Sequence, residues 1–95
     1  MAAFILADID ITDPAGFEAY RQLVAPTISA GGGCYRVRGG RCEVLEGQWQ
    51  PRRLVVLEFE SMAAARAWYD SDAYAPAKAI RQRTARSNIV VVEGL

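Results

Sequence analysis

The 95-residue chain contains no histidine, a single lysine and only 2 cysteines. Without histidine it lacks the commonest general base near neutral pH, the usual zinc ligand and the usual proximal haem ligand. A serine triad is excluded for the same reason, since Ser29, Ser61, Ser71 and Ser87 have no imidazole to activate them. Cys34 and Cys42 cannot build a structural zinc site alone. On one strand they would stand about 26 Å apart at ~3.3 Å per residue, and in a hairpin turning at Gly39 and Gly40 the residue facing Cys34 is Leu45. Both are expected as reduced thiols, and neither a metal nor a cofactor is expected.

Excess charge is also missing. With 11 basic and 11 acidic residues the formal net charge is +0, and no basic run exceeds Arg52-Arg53, so there is no electrostatic footprint for nucleic acid or an anionic membrane. The apolar start, Met1 to Ile11, has no basic n-region, meets Asp8 and Asp10, and is too short to span a bilayer. A cytoplasmic protein without membrane or nucleic-acid partners is expected. Gly31 to Gly33 lack the Lys-Ser or Lys-Thr of a phosphate loop, and a helical pattern precedes them where a dinucleotide fingerprint needs a strand. They are read as turn glycines.

What is present is 52% hydrophobic and 23% charged, the composition of one globular domain spanning 1–95. A chain of this size buries only roughly 60–70% of its unfolded surface, so a dimer interface is a natural supplement. Phe4 to Ile11 alternates as a strand, with Ile5, Ala7, Ile9 and Ile11 on one face. Asp13 and Pro14 start a helix carrying Phe17, Tyr20, Val24 and Ile28, which Pro26 kinks or ends early and Gly31 to Gly33 stop. Cys34 to Arg38 and Arg41 to Glu46, separated by Gly39 and Gly40, form either one bent strand, which we favour, or a hairpin. Gly47 to Pro51 turns, Arg52 to Glu60 is a strand, and Ser61 caps a helix through Tyr69. Ser71 caps a further helical piece from Asp72 to about Ala85, and Asn88 to Glu93 is the last strand. The order β-α-β-β-α-β predicts an α+β, ferredoxin-like antiparallel sheet with helices on one face. The third and fourth strands are apolar on both faces, however, so the second sheet face needs a cover, and another copy of the chain is the simplest one.

The order and spacing of Gly32-Gly33, Tyr35, Arg38-Gly39-Gly40, Glu46-Gly47, Trp49, Glu58-Phe59, Ala67-Trp68-Tyr69, Ser71, Tyr74 and Arg81 resemble the domain of unknown function 1330 family, from about Phe4 to Gly94. The resemblance implies the dimeric α/β-barrel superfamily, in which two ferredoxin-like sheets face each other. That superfamily includes cofactor-free monooxygenases, lactone isomerases, haem-dependent enzymes and ligand-sensing domains, so it implies no single activity. Gly31 stands where the family is expected to carry a larger, often polar residue.

Three sets of residues are candidates for chemistry. The topology gathers Asp8, Asp10, Arg38, Arg52 and Arg53 at one sheet end, either as an anion clamp led by Arg38 or as ordinary ion pairs. Glu58, between Leu57 and Phe59 on a central strand, is expected to be partly buried and is the leading catalytic acid or base; the alternative is a structural partner. Trp68, Tyr69 and Tyr74 surround the helix break, where they line a pocket for a flat organic ligand, although core packing explains Trp68 equally well. The expectation is a homodimer that binds a small organic molecule between helices and sheet. Two alternatives stand: a cofactor-free enzyme acting on a small carbonyl or enol compound, with Glu58 moving the proton, Arg38 steadying the anion and Tyr74 orienting the ligand, and a purely structural dimer.

Overall fold

Alternation in the first strand decides where the core lies. In the computed structural model, which describes residues 1–95, β1 (Ala3–Ile11) buries Ala3, Ile5, Ala7 and Ile9 and turns Phe4, Leu6 and Asp8 to the opposite face. Helix α1 (Pro14–Ala30) begins where expected: the Asp13 carboxylate accepts from the Gly16 N–H at 3.1 Å, and Pro14 occupies a first-turn position that needs no N–H. It passes through Pro26 without ending, because Val24 and Ile28 on either side are both buried against the sheet. Gly32 then takes φ +82°, a conformation in which glycine carries no Cβ penalty.

Strands β2 (Cys34–Arg38), β3 (Leu54–Phe59) and β4 (Ala85–Glu93) complete a four-stranded sheet of order β2-β3-β1-β4 with every pairing antiparallel. Helices α2 (Met62–Tyr69) and α3 (Ala75–Thr84) join α1 on the buried face. Ser61 caps α2 through a 3.1 Å bond from the Ala64 N–H. The break between α2 and α3 is tied by Ser71, whose hydroxyl donates to the Trp68 carbonyl at 2.7 Å and accepts from the Tyr74 N–H at 3.1 Å.

α3 begins at Ala75, with Tyr74 at its N-cap, and not at Asp72, and β4 begins at Ala85 and not at Asn88; two larger details also differ from expectation. Arg41 to Glu46 forms neither the bent strand nor a hairpin arm: β2 stops at Arg38, and residues 39–53 are irregular. The Gly39 N–H, at φ +68°, makes the last bond between the two segments, to the carbonyl of Leu54, the first residue of β3, at 2.9 Å. Second, a bulge between Tyr35 and Val37 adds one residue to β2. Regular alternation would place Arg38 with Cys34 and Arg36, but the extra residue turns it to the helix face, with its guanidinium 4.6 Å from the centre of the Tyr35 ring.

The face turned away from the helices is apolar through its middle. Val37, Val56, Leu6 and Val90 stand in register across all four strands, and Val37, Val90 and Val92 are 38%, 58% and 48% exposed.

Candidate functional site

Between the helices and the sheet lies a cavity of about 50 Å³. Its sheet side is aliphatic, from Ile5, Ala7 and Ile9 of β1 and Val55 and Leu57 of β3, and its helix side is aromatic. Trp68 lies between Phe59 and Tyr74, with ring centres 5.6 and 4.1 Å away, and its indole N–H donates to the Thr27 hydroxyl at 3.1 Å. Gly31 backs onto this ring: a Cβ there would come within 3.0 Å of Trp68 Cδ1. Tyr69 is held by Lys78, which donates to its carbonyl at 3.2 Å and lies 4.5 Å from its ring centre.

The polar part of the cavity is a chain of three side chains. Arg81 Nε donates to the Tyr74 hydroxyl at 3.3 Å, and the Tyr74 and Tyr20 hydroxyls are 3.2 Å apart. Two hydroxyls carry two protons, and the bond between them uses one, so one O–H donor remains free whichever way the pair is oriented. Burial and the neighbouring Tyr74 oxygen push the Tyr20 phenol far above its ordinary pKa, so it stays a neutral donor at any working pH. Arg81 is 4% exposed. Burial opposes its charge, but the Tyr74 hydroxyl and the neighbouring phenol oxygens outweigh that and raise its pKa, so the cation persists.

Arg21, Arg38 and Arg53 complete the lining, together with Tyr35. Burial, followed by repulsion from Arg21 and Arg38, lowers the Arg53 pKa, and burial raises that of Tyr35 against the pull of Arg38 and Arg53. These shifts mark a positive surround. No aspartate or glutamate lines the cavity.

The structure brings Arg38, Trp68, Tyr69 and Tyr74 to this one cavity but leaves Glu58 outside it. Glu58 faces the other side of the sheet, where its carboxylate accepts from Arg36 Nε at 2.8 Å and is 31% exposed. The pairing of Glu58 with Arg38 therefore does not form. The acid–arginine cluster at the sheet end also divides: Arg38 and Arg53 join the cavity, whereas Asp8 lies on the open face. There its carboxylate accepts from the Trp49 indole and the Arg52 N–H, each at 2.9 Å. Cys34 and Cys42 are free and exposed. No group of three or more His, Cys, Asp or Glu side chains is placed to hold a metal ion.

Tyr20 and Arg81 are the residues that sequence reasoning undervalued. Each sits in a helical stripe that is otherwise core: Phe17, Val24 and Ile28 for Tyr20, and Tyr74, Ala77 and Thr84 for Arg81. A strong cation in an inward stripe was the available signal.

Asp8 makes its own prediction. The Trp49 indole has the largest effect and lowers its pKa below the ordinary 3.8; burial, next in size, opposes it, and the Arg52 and Arg53 backbone N–H groups lower it further. Because the folded pKa is the lower one, the ionised carboxylate favours the folded loop above 3.8 and loses that effect as pH falls through the lowered value. In an NMR titration the Trp49 indole resonance is expected to move with a midpoint below 3.8, and Trp49→Phe is expected to return Asp8 towards that value. A midpoint at or above it in the parent chain contradicts the contact.

A ferredoxin-like α+β sheet with an aromatic cavity under its helices defines the class. The chain belongs to the family described as domain of unknown function (DUF1330), which matches residues 2–95. No curated protein matches it. Among solved structures it is similar to a protein of unknown function from Rhodopseudomonas palustris, with TM-score 0.79, 18% identity, and 99% of this chain and 82% of that one covered. It is also similar to a dimeric ferredoxin-like protein of unknown function from Jannaschia sp. CCS1, with TM-score 0.73, 12% identity, and 99% and 100% covered. A third is SnoaB, a cofactor-independent oxygenase from Streptomyces nogalater, with TM-score 0.61, 14% identity, and 99% and 92% covered. No helix of this chain is long and apolar enough to cross a membrane.

Proposed function

We propose that this protein is a homodimer that binds a small organic molecule in the cavity between its helices and sheet. The observation that carries the binding reading is the free O–H donor of the Tyr20–Tyr74 pair inside a lining that, apart from four arginines, is aromatic and aliphatic. Apolar walls with a few convergent polar groups are the usual composition of a small-molecule site. Dimerisation is supported by the apolar row on the open sheet face and by the dimeric relative from Jannaschia. A second reading, cofactor-free catalysis on a small carbonyl or enol compound, is favoured by the likeness to the Streptomyces oxygenase. In either reading Tyr20, Tyr74 and Arg81 touch the ligand.

The test is an NMR titration with ethanol, acetone and acetate at millimolar concentration, following the Trp68 indole and the amides of Tyr20 and Tyr74. Saturable shifts at these positions are expected for at least one probe; no shift with any of them removes the binding reading. Glu58→Gln is expected to leave the affinity within about twofold and stability within about 1 kcal/mol, since it breaks only a partly exposed ion pair with Arg36. A large loss of binding or turnover in that variant returns Glu58 to the site.

A further inference from the structure

A buried arginine ordinarily has a carboxylate beside it, because an unpaired ion in a low-dielectric interior is costly. Arg81 has none. It is 4% exposed, its one side-chain hydrogen bond runs from Nε to the Tyr74 hydroxyl, and the ion pairs of the protein all lie elsewhere. The guanidinium thus keeps donors that no protein acceptor uses; its terminal nitrogens are not fully enclosed, and Arg81 also lines a polar recess. Beside it, on β4, the buried Ser87 hydroxyl has no hydrogen-bond partner, and the two residues share the wall of a polar recess. The same charge imbalance runs along the cavity: four arginines and no acid line it in a chain whose formal net charge is +0.

We propose that the ligand of this cavity is a short-chain organic carboxylate, its oxygens on the Arg81 guanidinium and the free O–H of the Tyr20–Tyr74 pair. The proposal rests on the small-molecule reading above and narrows it to a chemical class. Size selects a short chain. A cavity of about 50 Å³ has room for a few heavy atoms, whereas an engineered apolar cavity that holds benzene measures about 150 Å³. A flat aromatic ligand therefore does not fit the space as it stands. The donor set selects a carboxylate over phosphate, since one guanidinium and one hydroxyl between apolar walls match two oxygens on a carbon stem better than a tetrahedral dianion. Arg21, Arg38 and Arg53, with only Arg21 near a carboxylate, supply an attractive field at the rim.

Calorimetric titration of the full chain at pH 7 compares acetate, whose four heavy atoms suit the space, the neutral isostere acetamide, and inorganic phosphate. Acetate is expected to bind at least tenfold more tightly than either. Arg81→Met, which keeps the length and removes the charge, is expected to erase that preference. Its Tm is expected to fall by no more than a few degrees, because the lost cation has no carboxylate partner and makes one side-chain hydrogen bond, to the Tyr74 hydroxyl. Arg83→Met, at an exposed position of the same helix, is expected to change neither. If acetamide equals acetate while the Trp68 indole still shifts, the cavity binds but the carboxylate class is overturned. If none of the three binds or shifts Trp68, the cavity reading falls as well. Tighter binding of phosphate overturns the class. An acetate preference that survives in Arg81→Met moves the anion to Arg21, Arg38 and Arg53 and overturns the assignment to Arg81. Should Arg81→Met unfold, Arg81 is structural and the proposal fails, unless Arg81→Gln folds and loses the preference.

Discussion

Leu6→Glu is expected to convert a species of twice 10.4 kDa into one of 10.4 kDa in light scattering, with the circular dichroism of the fold retained. Leu6 sits at the middle of the row Val37, Val56, Leu6, Val90, on the face opposite the helices, so the substitution touches no buried core residue. In a symmetric pairing of two such faces each copy presents the same patch, so the change places two carboxylates in one apolar interface. Removing both from water without partners costs several kcal/mol, enough to move a micromolar dimer beyond any ordinary working concentration. If the parent chain already runs at 10.4 kDa with this face wet, a second copy is not its cover.

Trp68→Ala is expected to cost about 3–5 kcal/mol, the range for removing a buried aromatic side chain, and to lower Tm by roughly 15–30 °C in a domain of this size. Trp68 is 5% exposed, packs between the Phe59 and Tyr74 rings, and gives its indole N–H to Thr27. The same ring forms part of the cavity wall, so its removal joins the new space to the old. Benzene or indole is then expected to raise the Tm of the variant and to leave that of the parent unchanged, because only the enlarged space admits a ring. A loss under 1 kcal/mol in chemical denaturation places Trp68 outside the core.

Both predictions draw on features legible in the amino-acid sequence, though unequally. The apolar runs Leu54-Val55-Val56-Leu57 and Ile89-Val90-Val91-Val92 point to a sheet covered on both faces, whereas the participants in the cavity are only partly legible. Trp68 and Tyr74 stand out as aromatic residues beside a helix break. Arg81 is fainter: it is one of two arginines in α3, and it is marked only by sharing a stripe with Tyr74, Ala77 and Thr84.

Local chemistry determined the element order, the Asp13 and Ser61 caps and the glycine stop after α1, since each depends on residues within one turn of each other. Three things were decided by tertiary structure. The side of the sheet that Glu58 faces was undetermined because its strand is apolar at both parities; only packing against α2 chose Val55, Leu57 and Phe59 as the inner set and put Glu58 outside. The side that Arg38 faces depends on a bulge, and a one-residue slip of register carries no mark in composition. The fate of residues 41–46 depends on whether a neighbouring strand exists to bond them, which is a property of the sheet and not of the segment, however strand-like its own pattern.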